Sequence, residues 1–193
     1  MIESTIARQV ALVAFDVDGT LTDNGVYIGA PLEGAPPTDA RVEFKRYDIQ
    51  DGLGIVMLRR AGVAVAFISA RQSQSTVLRA AELGVTHVHQ GKRLRKVAVL
   101  HHLATELSIP LSAMAFMGDD LADIAVMQRV ALSAAPSNAV AEVKAVAMVQ
   151  LAKEGGRGAA REFVEALLSA RGTWDTTVAE YVAESAVAED ARG

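Results

Sequence analysis

Apolar runs and charged breaks alternate along most of this chain. Val10–Phe15 is six apolar residues without interruption, and Val63–Ile68, Val85–His89, Met114–Met117, Ala131–Ala135 and Val146–Leu151 repeat the theme. Runs this short and this rich in Val suit strands buried on both faces, as in a parallel sheet. Between them lie stretches with helical spacing. One is opened by Asp51-Gly52 and runs through Leu53, Val56, Met57 and Arg60 to a C-cap at Gly62; the next, Ser73–Leu83, stops at Gly84. Val97–Leu107, Leu121–Arg129, Asn138–Lys144 and Ala159–Ala170 complete the set. Strands alternating with helices predict an α/β fold with a doubly wound parallel sheet.

Two segments break the rhythm. After the turn signal Asn24-Gly25, Val26–Ile28 reads as a short strand, and Ala30–Ala40, with three prolines, reads as a loop. Arg41–Tyr47 then alternates, Val42 and Phe44 on one face and Glu43 and Lys45 on the other, the mark of a half-buried strand. Residues 25–47 thus predict a projecting hairpin whose apolar face needs cover from the body or from another subunit. The second exception is 173–193. Trp174, Val178, Tyr181, Val182 and Ser185 fall at helical spacing, with Thr173 as N-cap and Asp175 in the first turn. The expected organisation is one domain over 1–172 and an acidic helical tail.

The chemistry gathers where the apolar runs end. Val10–Phe15 stops at Asp16-Val17-Asp18-Gly19-Thr20. Carboxylates at i and i+2 just past a buried strand lie at the sheet's carboxyl edge, where open α/β sheets bind ligands. A polar turn around Asp18-Gly19 is the bland reading. A calcium loop of the EF-hand type needs a preceding helix and Gly at its sixth position, whereas a strand precedes and Gly19 is fourth. A phosphoryl-transfer site, one Asp as nucleophile and the other as acid/base, predicts more parts at later strand ends. Two close acids also call for a cation, and an all-oxygen donor set favours a hard one such as Mg2+.

Those parts are present. Ser69-Ala70-Arg71 follows the second apolar run and offers a hydroxyl and a cation to an anion. Lys92, Arg93, Arg95 and Lys96 crowd a helix N-terminus, where basic residues are unfavourable unless an anion is near. Gly118-Asp119-Asp120, with Asp123, follows the fourth run; Asp120 there doubles as a partner for the helix dipole. The four histidines, His87, His89, His101 and His102, read as structural, and the adjacent pair cannot share a helix face.

Composition narrows the field. In 193 residues there is no cysteine, which removes disulfides and thiolate metal sites. The net charge of −4 belongs to the tail, where five acids face Arg192 alone, and a balanced body with 5% aromatics argues against nucleic-acid binding. Met1–Ala7 is too short and polar for a signal peptide, and no run reaches membrane-spanning length, so the expected location is the cytoplasm, with no membrane partner.

The ordered set Asp-x-Asp, Ser, Lys, Gly-Asp-Asp resembles the haloacid dehalogenase superfamily of aspartate-nucleophile phosphatases. DVDGTLTD (16–23), Asp51-Gly52, ISAR (68–71), Gln90-Gly91 with Lys96, GDDLAD (118–123) and GGRGAARE (155–162) are more closely similar to the 3-deoxy-D-manno-octulosonate 8-phosphate (KDO 8-phosphate) phosphatase subfamily. The resemblance implies a capless, Rossmann-like fold and a phosphatase that forms an aspartyl-phosphate. It implies Asp16 as nucleophile and Asp18 as acid/base, with Asp16, the Asp18 backbone carbonyl and Asp119 holding Mg2+. Gly19, Ser69, Ala70, Arg71 and Lys96 would surround the phosphoryl group, Arg157 would bind a sugar-acid carboxylate, and Asp120 and Asp123 would stand behind the metal ligands. It also implies a homotetramer in which hairpins and C-terminal segments close neighbouring sites.

Several positions depart from the subfamily pattern. Thr20 stands in place of Val, and Ser69-Ala70 in place of Thr-Gly. One extra residue between Gly91 and Lys96 makes Arg95 a rival for the phosphate. The hairpin tip is longer and the acidic tail is extended. A nonulosonate 9-phosphate or another small phosphomonoester is therefore an alternative substrate. A non-catalytic oligomerisation module, like the domain fused to sialic acid cytidylyltransferases, is the alternative outside enzymes; it would be favoured by loss of Asp16, Asp18, Lys96 or Asp119, and all four are present. A signalling receiver domain is excluded because the third strand ends in His89-Gln90 rather than in a phospho-acceptor.

Overall fold

The computed structural model describes residues 1–29, 42–92 and 94–190. Six parallel strands form its centre: β1 (Leu12–Phe15), β4 (Ala64–Ser69), β5 (His87–Gln90), β6 (Met114–Met117), β7 (Leu132–Ala135) and β8 (Val149–Gln150). Their spatial order is β5-β4-β1-β6-β7-β8, so the chain winds outward from β1 in both directions. Phe15 lies level with Phe67 on one side and Met117 on the other, which brings three strand ends to one line.

Alternate residues of each strand serve opposite faces, as the period of two requires. Val13, Phe15, Phe67 and Met117 pack toward α1 (Ser4–Gln9), α2 (Ile49–Arg60), α3 (Gln74–Glu82), α7 (Ala159–Arg171) and α8 (Trp174–Asp190). Leu12, Ala14, Ile68 and Phe116 pack toward α4 (Lys96–Leu107), α5 (Ile124–Met127) and α6 (Ala141–Val146). Burial on both faces is why these strands read as unbroken apolar runs.

The expected elements are present, with shifted boundaries. The first strand starts at Leu12 rather than Val10, because Val10 ends α1, a helix too short for its period to be visible. Asp48, not Asp51, caps α2, accepting from the backbone N–H of Gln50 and Asp51. Ala61 is the C-cap, and Gly62 follows it at φ +77°. The expected helix at Leu121–Arg129 is a tight 3-10 turn over Leu121–Asp123 followed by α5, because the Asp123 carboxylate folds back on the preceding backbone. The expected helix at 138–144 begins only at Ala141, and Val146 belongs to it, leaving β8 just two residues.

The hairpin pairs β2 (Tyr27–Gly29) with β3 (Val42–Phe44), antiparallel, and a bridge from Thr22 to Tyr47 ties its base to the body. The expected loop at 30–40 lies outside the described residues. The tail helix α8 lies on the chain's own α2 and α7. Trp174, Val178 and Tyr181 face the core, while Val182 and Ser185, expected on the same face, are exposed. Thr173 stands at the expected N-cap position, its carbonyl accepting Thr177 N–H, while its hydroxyl has no hydrogen-bond partner among the described residues.

Candidate active site

The site lies at the carboxyl ends of β1, β4 and β6. Asp16 follows β1 directly, and its N–H donates to Met117 O at 2.9 Å, so the first acid is registered against β6. The loop then turns sharply at Gly19, whose φ is +88° and whose missing Cβ would lie 2.0 Å from Asp119 Oδ2. Both the left-handed backbone and the close approach require glycine. Thr20 Oγ1 donates to Asp119 Oδ1 at 2.9 Å.

Asp119 and Asp123 arrive after β6. Asp123 is fully buried; its Oδ2 accepts the N–H groups of Asp119 (3.1 Å) and Asp120 (3.2 Å). Asp120 is exposed and caps the turn through Leu121 N–H. Lys96, the first residue of α4, turns inward with Nζ 2.5 Å from both Asp16 Oδ1 and Asp123 Oδ1. Its neighbour Arg95 is exposed at the N-cap, so Lys96 is the one beside Asp16. Arg93 lies outside the described residues.

The electrostatics follow from burial. One oxygen from each of Asp16, Asp119 and Asp123 lies within 4.8 Å of the others. The Asp16 carboxyl is pushed up to about 8, chiefly by desolvation, with Asp123 and Asp119 adding to the rise and Lys96 opposing it. Asp119 is raised to about 6, again chiefly by desolvation, against the hydrogen bond from Thr20. Burial works against the charge on Lys96, but Asp16 and Asp123 outweigh it and its net shift is upward. Three acids around one lysine leave a surplus of negative charge on an all-oxygen donor set. The donor chemistry of the site therefore fits a hard divalent cation.

Around this centre, Ser69 Oγ donates to Asp18 Oδ2 at 3.3 Å and accepts the N–H of Arg71 at 3.1 Å. Arg71 turns its guanidinium to Glu43 on the hairpin, at 2.8 Å. A cavity of about 360 Å3 opens between the hairpin and the Ser69 loop, lined by Ile28, Glu43, Ala70, Arg71, Ser73 and Lys92 among others. Arg157 is half-exposed and meets Glu154 at 3.4 Å and Asp23 at 3.8 Å, beyond the far end of the Asp16–Thr20 loop.

Three features escaped the sequence reading. Lys45, whose side chain has no exposed surface, places Nζ 2.7 Å from Asp18 Oδ1. Nothing in an alternating strand distinguishes such a lysine from a solvated one. Asn138 bridges two loops, donating to Gly19 O at 2.9 Å and accepting Gly155 N–H at 2.6 Å. Gly155 and Gly156 press against the Asp16 loop so closely that a Cβ would lie 1.8 Å from Gly19 O and 2.4 Å from Thr22 C. Gly155 and Gly156 of the glycine-rich motif thus buttress that loop. Asp51 anchors the same motif by accepting the N–H groups of Gly158 and Arg161, with its carboxyl raised by burial.

Residues 90–162 match the family model of haloacid dehalogenase-like hydrolases. The chain is 35% identical over 169 residues to the 3-deoxy-D-manno-octulosonate 8-phosphate phosphatase of Escherichia coli, covering 88% of this chain and 85% of that protein. It is similar to the crystal structure of the Moraxella catarrhalis enzyme of that name, which holds a magnesium ion, a phosphate ion and a KDO molecule. The identity is 32%, the TM-score 0.83, and the coverage 92% of this chain and 97% of that one. The cobalt-bound deoxy-D-mannose-octulosonate 8-phosphate phosphatase of Haemophilus influenzae is 30% identical, with a TM-score of 0.77 over 88% and 93% of the two chains.

Proposed function

The chain belongs to the haloacid dehalogenase-like hydrolases, in the group that contains the KDO 8-phosphate phosphatases, and on that premise we propose that it is a Mg2+-dependent phosphatase of KDO 8-phosphate. The observation that carries this reading is the buried set of Asp16, Asp119, Asp123 and Lys96 beside Asp18 at one sheet edge.

In this reading Asp16 attacks phosphorus through a carboxylate oxygen as the bond to the sugar oxygen breaks. Asp18 gives its proton to that departing oxygen. A water then attacks the phosphorus of the aspartyl-phosphate, Asp18 takes the water's proton, and inorganic phosphate leaves with Asp16 restored. Ser69 and Lys96 hold phosphoryl oxygens, with the Gly19 backbone close by. Asp16, Asp119 and the Asp18 backbone carbonyl would hold Mg2+, which supplies charge neutralisation on the phosphoryl oxygens. Asp123 serves as an anchor, since both its oxygens are engaged, and Asp120 as a cap. The cavity beside Ala70 and Arg71 accommodates the sugar acid.

The same reading includes a homotetramer in the cytoplasm. Its support is the hairpin, whose Tyr27, Ile28 and Phe44 are exposed in the single chain. Enclosure of the substrate falls to the hairpin and the region around Arg157, whose half-exposed guanidinium is the candidate for the sugar-acid carboxylate. No helix among the described residues is long and apolar enough to cross a membrane.

The test is phosphate release with Mg2+ and with EDTA from KDO 8-phosphate, nonulosonate 9-phosphates and hexose phosphates. Selective release from KDO 8-phosphate that EDTA abolishes is the expected result. Preference for a nonulosonate 9-phosphate would move the substrate, and no release from folded protein would end the enzyme reading.

A further inference from the structure

Lys45 follows β3 directly, and its side chain leaves no surface to solvent. A buried ammonium is costly unless carboxylates compensate it. Here two do: Asp18 Oδ1 at 2.7 Å and Glu43 Oε1 at 3.7 Å. The other oxygen of Glu43 is held by Arg71 at 2.8 Å. Arg71, Glu43, Lys45 and Asp18 therefore alternate in charge across the seam between the hairpin and the sheet edge. A hairpin that merely covered the site would present polar groups to substrate; this one spends a lysine on a residue of the reaction itself.

The geometry at Asp18 sharpens the point. Its Oδ2 accepts the Ser69 hydroxyl at 3.3 Å, while Oδ1 is buried against Lys45 as an ion pair at 2.7 Å without a hydrogen bond of its own. A lysine ammonium has hydrogens to give and no lone pair to accept with. Oδ1 is buried beside that ammonium, and Oδ2, on the Ser69 side, is the oxygen placed to carry a proton toward substrate. We propose that Lys45 is the positioning residue for Asp18: it orients the carboxyl so that Oδ2 delivers the proton to the departing oxygen, and it thereby makes a seated hairpin a condition for catalysis. This inference rests on the phosphatase reading above.

The test uses the full chain with Mg2+ and a series of aryl phosphates, from p-methoxyphenyl to p-nitrophenyl, whose esters differ chiefly in the acidity of the phenol that leaves. A well-placed acid matters for a poor leaving group and little for a good one. Lys45→Met is expected to lower kcat/KM for the p-methoxyphenyl ester by about 30- to 100-fold and for the p-nitrophenyl ester by less than about 3-fold. Lys45→Arg, which keeps a cation within reach of Oδ1, is expected to recover most of the loss. An equal fall on every ester would mean a merely structural role and overturn the proposal. So would a raised KM with unchanged kcat, the mark of a substrate ligand. Wild-type protein that releases no phosphate from any ester overturns the phosphatase reading and this inference together, whereas active wild type with an unchanged leaving-group dependence in Lys45→Met overturns the inference alone.

Discussion

The sheet edge and the hairpin meet at the Asp18–Lys45 pair and are built on opposite plans. At the edge, Asp16, Lys96, Asp119 and Asp123 are all buried, and each is held by the chain's own backbone or by another member of the set. On the hairpin the alternation is inverted from what a half-buried strand normally shows. Glu43 and Lys45 turn toward the protein, and Phe44, 64% exposed, faces away with its cross-strand partner Tyr27. The edge is complete within one chain. The hairpin is tied at its base by the Thr22–Tyr47 bridge and along β3 by charged pairs, and it leaves Tyr27 and Phe44 uncovered, which suits an element that a neighbour completes.

The largest effect expected is at the edge. Asp16→Asn removes the nucleophile and should cut phosphate release by about 10^4-fold or more while the protein stays folded. Activity within a hundredfold of wild type would move the nucleophile elsewhere. Gly155→Ala probes the buttress, because its Cβ would lie 1.8 Å from Gly19 O. We expect a loss of about 3 kcal/mol in stability and of roughly 10^2-fold in activity through displacement of the Asp16 loop. Gly91→Ala, which would meet nothing within 4 Å, is the matched control, and equal melting temperatures for the two variants would refute the buttress.

Proton linkage tests the edge without mutation. Asp16 is raised to about 8 and Asp119 to about 6 in the folded chain, against an ordinary value of 3.8. Between roughly pH 4 and 8 the metal-free folded state therefore binds more protons than the unfolded one, so its stability falls as pH rises. In EDTA the protein should melt higher at pH 6 than at pH 8, by something on the order of 2 kcal/mol. Mg2+, which needs ionised ligands, should stabilise it more at pH 8. A higher melting temperature in EDTA at pH 8 would show that burial does not hold these carboxylates at a cost.

Thr20→Val deletes the hydroxyl that orients Asp119 and should raise the Mg2+ concentration for half-maximal activity by about 10-fold, read from a metal titration. The smallest effect on a single chain belongs to the hairpin. Phe44→Ser should change stability by less than about 0.5 kcal/mol, as exposed positions do, yet shift sedimentation toward smaller species. An unchanged assembly would place the subunit contact elsewhere.

Legibility differed in the same way between the two regions. The apolar strand runs ending in acids were readable because a strand buried on both faces has no other way to appear, and Asp16, Ser69, Lys96 and Asp119 each follow within a residue or two of such a run or open the next helix. Arg95 and Lys96 were indistinguishable in the chain, and only the inward turn at the start of α4 separates them. The glycine-rich motif was legible as a motif but not as a buttress, since the clash that demands glycine is with residues more than a hundred positions away.

The sequence by itself determined the alternation of strand and helix, the line of acids at the carboxyl edge, and the hairpin's period of two. Those are local properties, set by burial and by the two backbone periods. The tertiary structure alone decided which face of the hairpin turns inward, that Lys45 reaches Asp18, and that Thr20 and Asn138 hold the loop that carries Asp16. Periodicity says that neighbours in a strand part to opposite sides; it carries no sign, and the sign is set by what the rest of the fold brings alongside.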